Sequence, residues 1–228
     1  MRTIRLKPVY LLLSCCFWII SEKQLRSQAG RCDNYHQQIS AMNSFFQNVS
    51  YTRLFLSGGD SKSDSIWNEG SNREALECMV ADSAIEKRSR FLAAELLFVK
   101  SDWIPSGRLK TDVAFLYAEA LKGNYTEKAN HWGLPDDVGM VGKHVLLLGD
   151  DAMVAFYPLL SCKTPVHYYG SKVATAGKIY KYRIKDIAAT YISSLLNKTF
   201  NAERAPVFRD LQIARLKRAV RKSGIIHR

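Results

Sequence analysis

Apolar residues recur along most of this chain at intervals of three and four. That spacing places side chains on one face of an α-helix. The clearest run closes the stretch from His144 to Leu196. Tyr180, Ile184, Ile187, Ala188, Tyr191 and Leu195 form one stripe, and Ile192 and Leu196 widen it. A stripe that broad predicts a helix covered on two sides. Near the start, Tyr35, Ile39, Met42 and Phe46 predict a helix within 31–48. Further helices are expected over 73–81 and 84–99. Val113, Leu116, Tyr117, Ala120 and Leu121 mark another, ended by Gly123. Val138, Val141, Val145 and Leu148 share one face of the next, entered through Trp132-Gly133-Leu134-Pro135 with Pro135 in its first turn. Asp150 or Asp151 is the expected N-cap of a helix that carries Phe156, Leu159 and Leu160 inward. Pro158 should kink it, because the proline ring removes one main-chain bond.

No stretch alternates with period two. The expected fold is therefore all-α, built of stacked antiparallel helical hairpins. Residues 49–72 interrupt the periodicity with SGGDSKSDSIWNEGSN, which reads as a polar, mobile loop. Its Asp60, Asp64 and Glu69 lack the glycine and closing glutamate of an EF-hand, so a solvated loop is the better reading than a calcium site.

One order of residues is more specific. A helix with a late proline (Pro158), then Leu159-Leu160, a turn at Pro165-Val166, and Arg183, Asp186, Ala188 and Ala189 opening a second helix resembles the HEAT-like, armadillo-type α-helical repeat. A weaker copy lies upstream in Leu76, Met79, Asp82, Arg88, Ala93, Ala94 and Leu97. The resemblance covers roughly a third of the chain and implies a short α-α superhelix, as in exported bacterial proteins and lipoproteins of unknown function. It implies almost nothing about activity. The chain departs from the pattern in two places. Ser161 and Cys162 stand where the turn usually has an Asp, and an insertion from His167 to Ile179 delays the second helix.

Charge divides the chain into three parts. The net +12 comprises +4 in residues 1–29, +6 in residues 203–228, and +2 in the 30–202 body. A nearly neutral body argues against nucleic acid as a partner. The first part looks like an export signal: Arg2, Arg5 and Lys7, then an apolar run from Val9 to Ile20. That run is shorter than the about 20 residues a membrane span needs. Leu12-Leu13-Ser14-Cys15 offers lipidation of Cys15, and Ser27-Gln28-Ala29 offers ordinary cleavage; an uncleaved apolar helix is the bland alternative. The expected destination is outside the cytosol: periplasmic, membrane-anchored or secreted. Processing at either site leaves Cys32, Cys78 and Cys162, and a lipobox cut leaves Cys15 and Cys16 as well. Two of the first three can pair in an oxidising compartment, or all three can be separate buried thiols. In the last part, Phe208, Ile213, Leu216, Ala219 and Val220 lie on one side of a helix over 204–222, with Lys217, Arg218, Arg221 and Lys222 on the other. This helix either caps the last hairpin or lies on an anionic membrane.

Candidate chemistry is sparse. His36, His131, His144, His167 and His227 form no metal-ligand pair, and no Gly-x-Ser-x-Gly elbow, phosphate loop or dinucleotide fingerprint occurs. No metal or cofactor is expected. The acids Asp82, Asp136, Asp137, Asp150 and Asp151 read as helix caps. One concentration stands out: His167, Tyr168, Tyr169, Tyr180, Tyr182 and Arg183, with Asp186 close behind. Tyrosine and arginine dominate binding hot spots. The leading expectation is a helical-repeat module for a protein partner, without catalysis. The alternatives are an envelope enzyme acting through this cluster on a polar or anionic substrate, and a purely structural cluster in which the tyrosines pack the insertion and Arg183 pairs with an acid. A deep pocket converging on His167, Asp186 and Arg183 would favour the enzyme, and a flat or convex surface there would favour the interaction module.

Overall fold

Helix α1 (His36–Asn48) is preceded by a 3₁₀ turn, Asp33–Tyr35, and presents Met42 and Phe46 to the core as their spacing requires. In the computed structural model, residues 32–56, 62–69, 72–134 and 137–227 are described. The candidate signal, Cys15 and the Ser27–Ala29 cleavage site lie outside them. Helices dominate the described residues, and the fold is all-α. Among those residues no helix is long and apolar enough to cross a membrane.

The stretch expected as a mobile loop contains two short helices, α2 (Tyr51–Phe55) and α3 (Lys62–Asn68). Ser50 caps α2 by accepting the Arg53 N–H at 3.1 Å, and Tyr51 and Leu54 turn one face fully inward. Two apolar residues at i, i+3 after a capping serine anchor Tyr51–Phe55, while residues 57–61, 70 and 71 of the expected loop lie outside the described residues. Helices α4 (Asn72–Ala81) and α5 (Lys87–Lys100) pack against each other. A disulfide joins Cys32 to Cys78 and ties the start of the described chain to α4, leaving Cys162 as a free, half-buried thiol. Glu86 caps α5 through the Ser89 N–H; Asp82 instead holds the preceding turn by accepting the Ala84 N–H. Helix α5 is buried from Phe91 to Phe98 and touches α1, α4 and α6 (Gly107–Lys122).

The helix expected to begin around Pro135 begins later. Gly133–Leu134 (β1) pairs antiparallel with Asp137–Val138 (β2), and α7 runs from Met140 to Leu147. Helix α8 (Asp150–Phe156) has Gly149 at its N-cap, with Asp150 and Asp151 in its first turn. Asp151 accepts the Thr111 hydroxyl at 2.5 Å, which fastens α8 to α6. Pro158 ends this helix rather than kinking it, and Pro158–Ser161 continues as a 3₁₀ turn that buries Leu159 and Leu160.

The expected insertion is itself a helix, α9 (Ser171–Tyr180). The stripe read from Tyr180 to Leu196 is therefore split. Lys181 is left-handed (φ 51°), and α10 starts afresh at Ile184 and ends at Leu195. Helix α10 is buried from Ile184 to Ser193 and lies among α7, α8 and α11 (Pro206–Lys222). It approaches α7 closely at Gly142, where a Cβ would sit 2.7 Å from the Tyr191 hydroxyl oxygen. Helix α11 buries Arg209, Ile213, Leu216 and Val220. Phe208, expected on that inner side, is instead exposed beside Val207 and Leu211. The buried face runs through Arg209, Ile213, Leu216 and Val220, and Phe208 lies about 100° around the helix from Arg209, on the solvent side.

Candidate functional site

The chemistry-bearing cluster is built on a strap, residues 162–169, stitched on both edges. On one side Val166 N–H donates to the Tyr182 carbonyl at 3.0 Å, Ile184 N–H to Thr164 at 2.9 Å, and Lys185 N–H to Cys162 at 3.1 Å. On the other, Ala129 N–H donates to the His167 carbonyl at 3.1 Å, and the Asn130 side chain brackets Tyr169 with bonds of 2.8 and 2.9 Å. Gly170, at φ 88°, turns the chain into α9. That helix folds back over the strap, and a Cβ on Gly177 would meet the Tyr168 ring at 2.9 Å.

The residues singled out from sequence divide by burial. Tyr168 and Tyr182 are buried, contrary to the expectation of a presented surface. They form a small satellite core with Ala129 and Ala202, their rings edge-on at 5.9 Å. The Tyr168 hydroxyl donates to the Gly133 carbonyl at 3.1 Å, and burial holds it well above the ordinary tyrosine range. Tyr180 is half-buried and stacks on Tyr182 at 5.6 Å. Tyr169 is exposed, with Lys128 Nζ 5.8 Å from its ring centre. His167 is exposed as well.

Asp186 is fully buried and removed from solvent chemistry. Its carboxylate accepts the Arg183 N–H and both Nε and Nη2 of that side chain at 2.9–3.0 Å. Arg209, also fully buried, reaches Asp186 at 3.5 Å and donates to the carbonyls of Ala202 and Tyr180. Asp210 completes the network by accepting from Arg183 and from Lys185, each at 2.8 Å. Burial works against the Arg183 charge, but its bonds to Asp186 and Asp210 outweigh that and hold it more firmly protonated. Burial lowers Arg209 below the usual arginine range. Asp210 is held below the ordinary carboxylate range because Lys185 and Arg183 overcome its partial burial. Arg209 was invisible to sequence reasoning, counted as one more charge of a basic tail.

What remains on the surface is a cavity of about 480 Å³ between the strap, α9 and the start of α11. Val166, Tyr168 and Tyr182 contribute apolar walls; His167, Lys163, Lys178, Lys181 and Arg183 supply polar groups, and Asp186 does not line it. The three lysines were also missed, since nothing in the sequence places 163 beside 178 and 181. A second concavity, about 530 Å³, lies between residues 197–199 and α11 and is lined mostly by polar groups such as Lys198, Gln212 and Arg215. It lacks aromatic walls and lies apart from the cluster.

A separate interior group also escaped the sequence reading. Glu95, within an otherwise apolar run, is fully buried. It accepts the hydroxyls of Tyr51, at 2.6 Å, and Tyr117, and faces His144 Nδ1 at 2.7 Å. Burial and the nearby carboxylate hold both tyrosines well above their usual range. Nearby, His131 lies against Tyr51 at 4.7 Å with its Nε2 unpartnered, and burial lowers its pKa. Glu95 thus joins α2, α5, α6 and α7 through side-chain bonds. A charge inside FLAAELLFV was the one available signal. Among the described residues no group of His, Cys, Asp and Glu is arranged to hold a metal ion. Compared with known protein families, curated proteins and solved structures, the chain matches none of them.

Proposed function

We propose that this chain is an exported or envelope-associated recognition module without catalysis, in which HEAT-like helical hairpins present the 163–183 edge to a protein partner. The observation that carries the reading is the engagement of Asp186. Its carboxylate is buried under Arg183 and Arg209, so it cannot orient His167 as a base. Among the described residues no side chain is seen bonded to the His167 ring. The edge is concave rather than flat, but its cavity takes in His167 and Arg183 without Asp186, so the three do not converge as an acid–base site requires, and its tyrosine walls suit recognition. The packing of α4 on α5 and of α8 on α10 supports the hairpin reading. The Cys32–Cys78 disulfide supports export, because such bonds persist in oxidising compartments.

Two measurements test it. The intact mass of protein from its native host should show loss of residues 1–29, or a lipid on Cys15. A full-length chain with free Cys32 and Cys78 thiols would refute export. A photo-crosslinking amino acid at Tyr169 should give one discrete adduct in intact cells that the same probe at Phe115, exposed elsewhere on α6, does not give. Identical patterns from the two positions would refute a recognition edge.

A further inference from the structure

Building on the reading of this edge as a recognition surface, we propose that its cavity binds a small organic anion: one acidic head group on an apolar body. A volume of about 480 Å³ is that of a small-molecule site. The walls are apolar where Val166, Tyr168 and Tyr182 line them, and the Tyr168 hydroxyl is committed to the Gly133 carbonyl. The polar groups are overwhelmingly cationic. Lys163, Lys178 and Lys181 are exposed at the cavity, and no Asp or Glu lines it. Arg183 also reaches it, but its charge is answered by Asp186 and Asp210. The three lysines make no ion pair among the described residues. Like charges gathered around one concavity with low-dielectric walls focus a positive potential into it, and an anion relieves their repulsion.

Two backbone features fit the same site. Lys181 ends α9 at φ 51°, a left-handed position where helices commonly carry glycine. A lysine there bears a conformational cost and keeps an ammonium at the cavity. Gly177 lets the backbone of α9 rest on the Tyr168 ring, so the cavity is roofed by helix rather than filled by a side chain.

The probe is 8-anilinonaphthalene-1-sulfonate, an anion on an aromatic body, compared with neutral N-phenyl-1-naphthylamine. The full chain should enhance the anion's fluorescence at one saturable site, and raising the salt should weaken that binding. The variant Lys163→Gln/Lys178→Gln/Lys181→Asn should weaken it about tenfold or more, while binding of the neutral dye is unchanged. Lys178→Gln alone, on an exposed side chain, should give an intermediate loss and guards against misfolding of the triple variant. Unchanged sulfonate affinity in both variants overturns the proposal. So does equal loss of the neutral dye, or loss of sulfonate binding on Val207→Ser/Phe208→Ser, which would place the dye on the exposed apolar patch of α11. Displacement by 2-naphthoate or by phenyl phosphate supports the site and names a carboxylate or a phosphate ester as head group. If dye binding fails while the Tyr169 adduct persists, the ligand is wrong and the recognition edge stands. If the adduct fails while dye binding persists, only the protein partner is lost.

Discussion

Replacing Glu95 with alanine should destabilise this protein more than replacing any single surface charge. In the wild type its two oxygens accept the hydroxyls of Tyr51 and Tyr117 and face His144 Nδ1, all inside the core. Truncation leaves three polar groups buried with no acceptor in place. Each costs about 1–3 kcal/mol if nothing else satisfies it, and a methylene stem is lost besides. Relaxation recovers part, and removal of one member of a buried charged network costs about 3–5 kcal/mol overall. With a urea dependence of about 2–3 kcal/mol per molar for a chain this size, the unfolding midpoint should fall by roughly 1–2 M. Glu95→Gln keeps the shape and one carbonyl acceptor, so about 1–2 kcal/mol is expected. Tyr117→Phe should cost about 1–2 kcal/mol in the wild type and close to nothing in the Glu95→Ala background, because the hydroxyl's partner is already gone. The assay is urea unfolding followed by tryptophan fluorescence, with all four proteins in one double-mutant cycle. A midpoint for Glu95→Ala within about 0.3 M of wild type, or strict additivity with Tyr117→Phe, would refute the claim that this carboxylate holds the helices together.

Ile187→Ala, at a nearly fully buried position of α10, should cost about 2–5 kcal/mol, whereas exposed Tyr169→Ser should change stability by about 0.5 kcal/mol or less; equal urea midpoints would sink the distinction. Gly142→Ala forces a Cβ to within 2.7 Å of the Tyr191 hydroxyl oxygen and 2.8 Å of the Trp132 carbonyl, so a loss of about 1–3 kcal/mol is expected, checked by thermal unfolding; an unchanged Tm would show that α7 and α10 have room to separate. His131 has its pKa lowered in the folded state by burial and by Lys128, so as pH falls through about 6.5 the unfolded chain takes up a proton first and stability declines until the lower folded pKa is passed. His131→Phe should flatten that part of the pH profile measured by urea unfolding, and an identical slope would assign the effect elsewhere.

The sequence by itself determined the class of fold and most of its helices. Periodicity of three and four is a local property of a helix that buries one face, so Met42 and Phe46, or Val141 and Val145, announce their inward side without reference to any partner. It also pointed to the edge that carries the candidate site, since the tyrosines, His167 and Arg183 are close along the chain. Tertiary structure decided what each of those residues does. Tyr168 looks like a presented side chain in a list of letters and becomes a buried wall because α9 lays Gly177 across its ring. Asp186 looks like half of an acid–base pair and becomes structural because α11 brings Arg209 to it from 23 residues away in the chain. Lys163 joins Lys178 and Lys181 around one cavity only when α9 folds back over the strap. The hydrogen bonds of Glu95 reach residues 22, 44 and 49 positions distant. Helical patterning is written in neighbours along the chain, whereas burial, charge pairing and concavity depend on which distant segments meet.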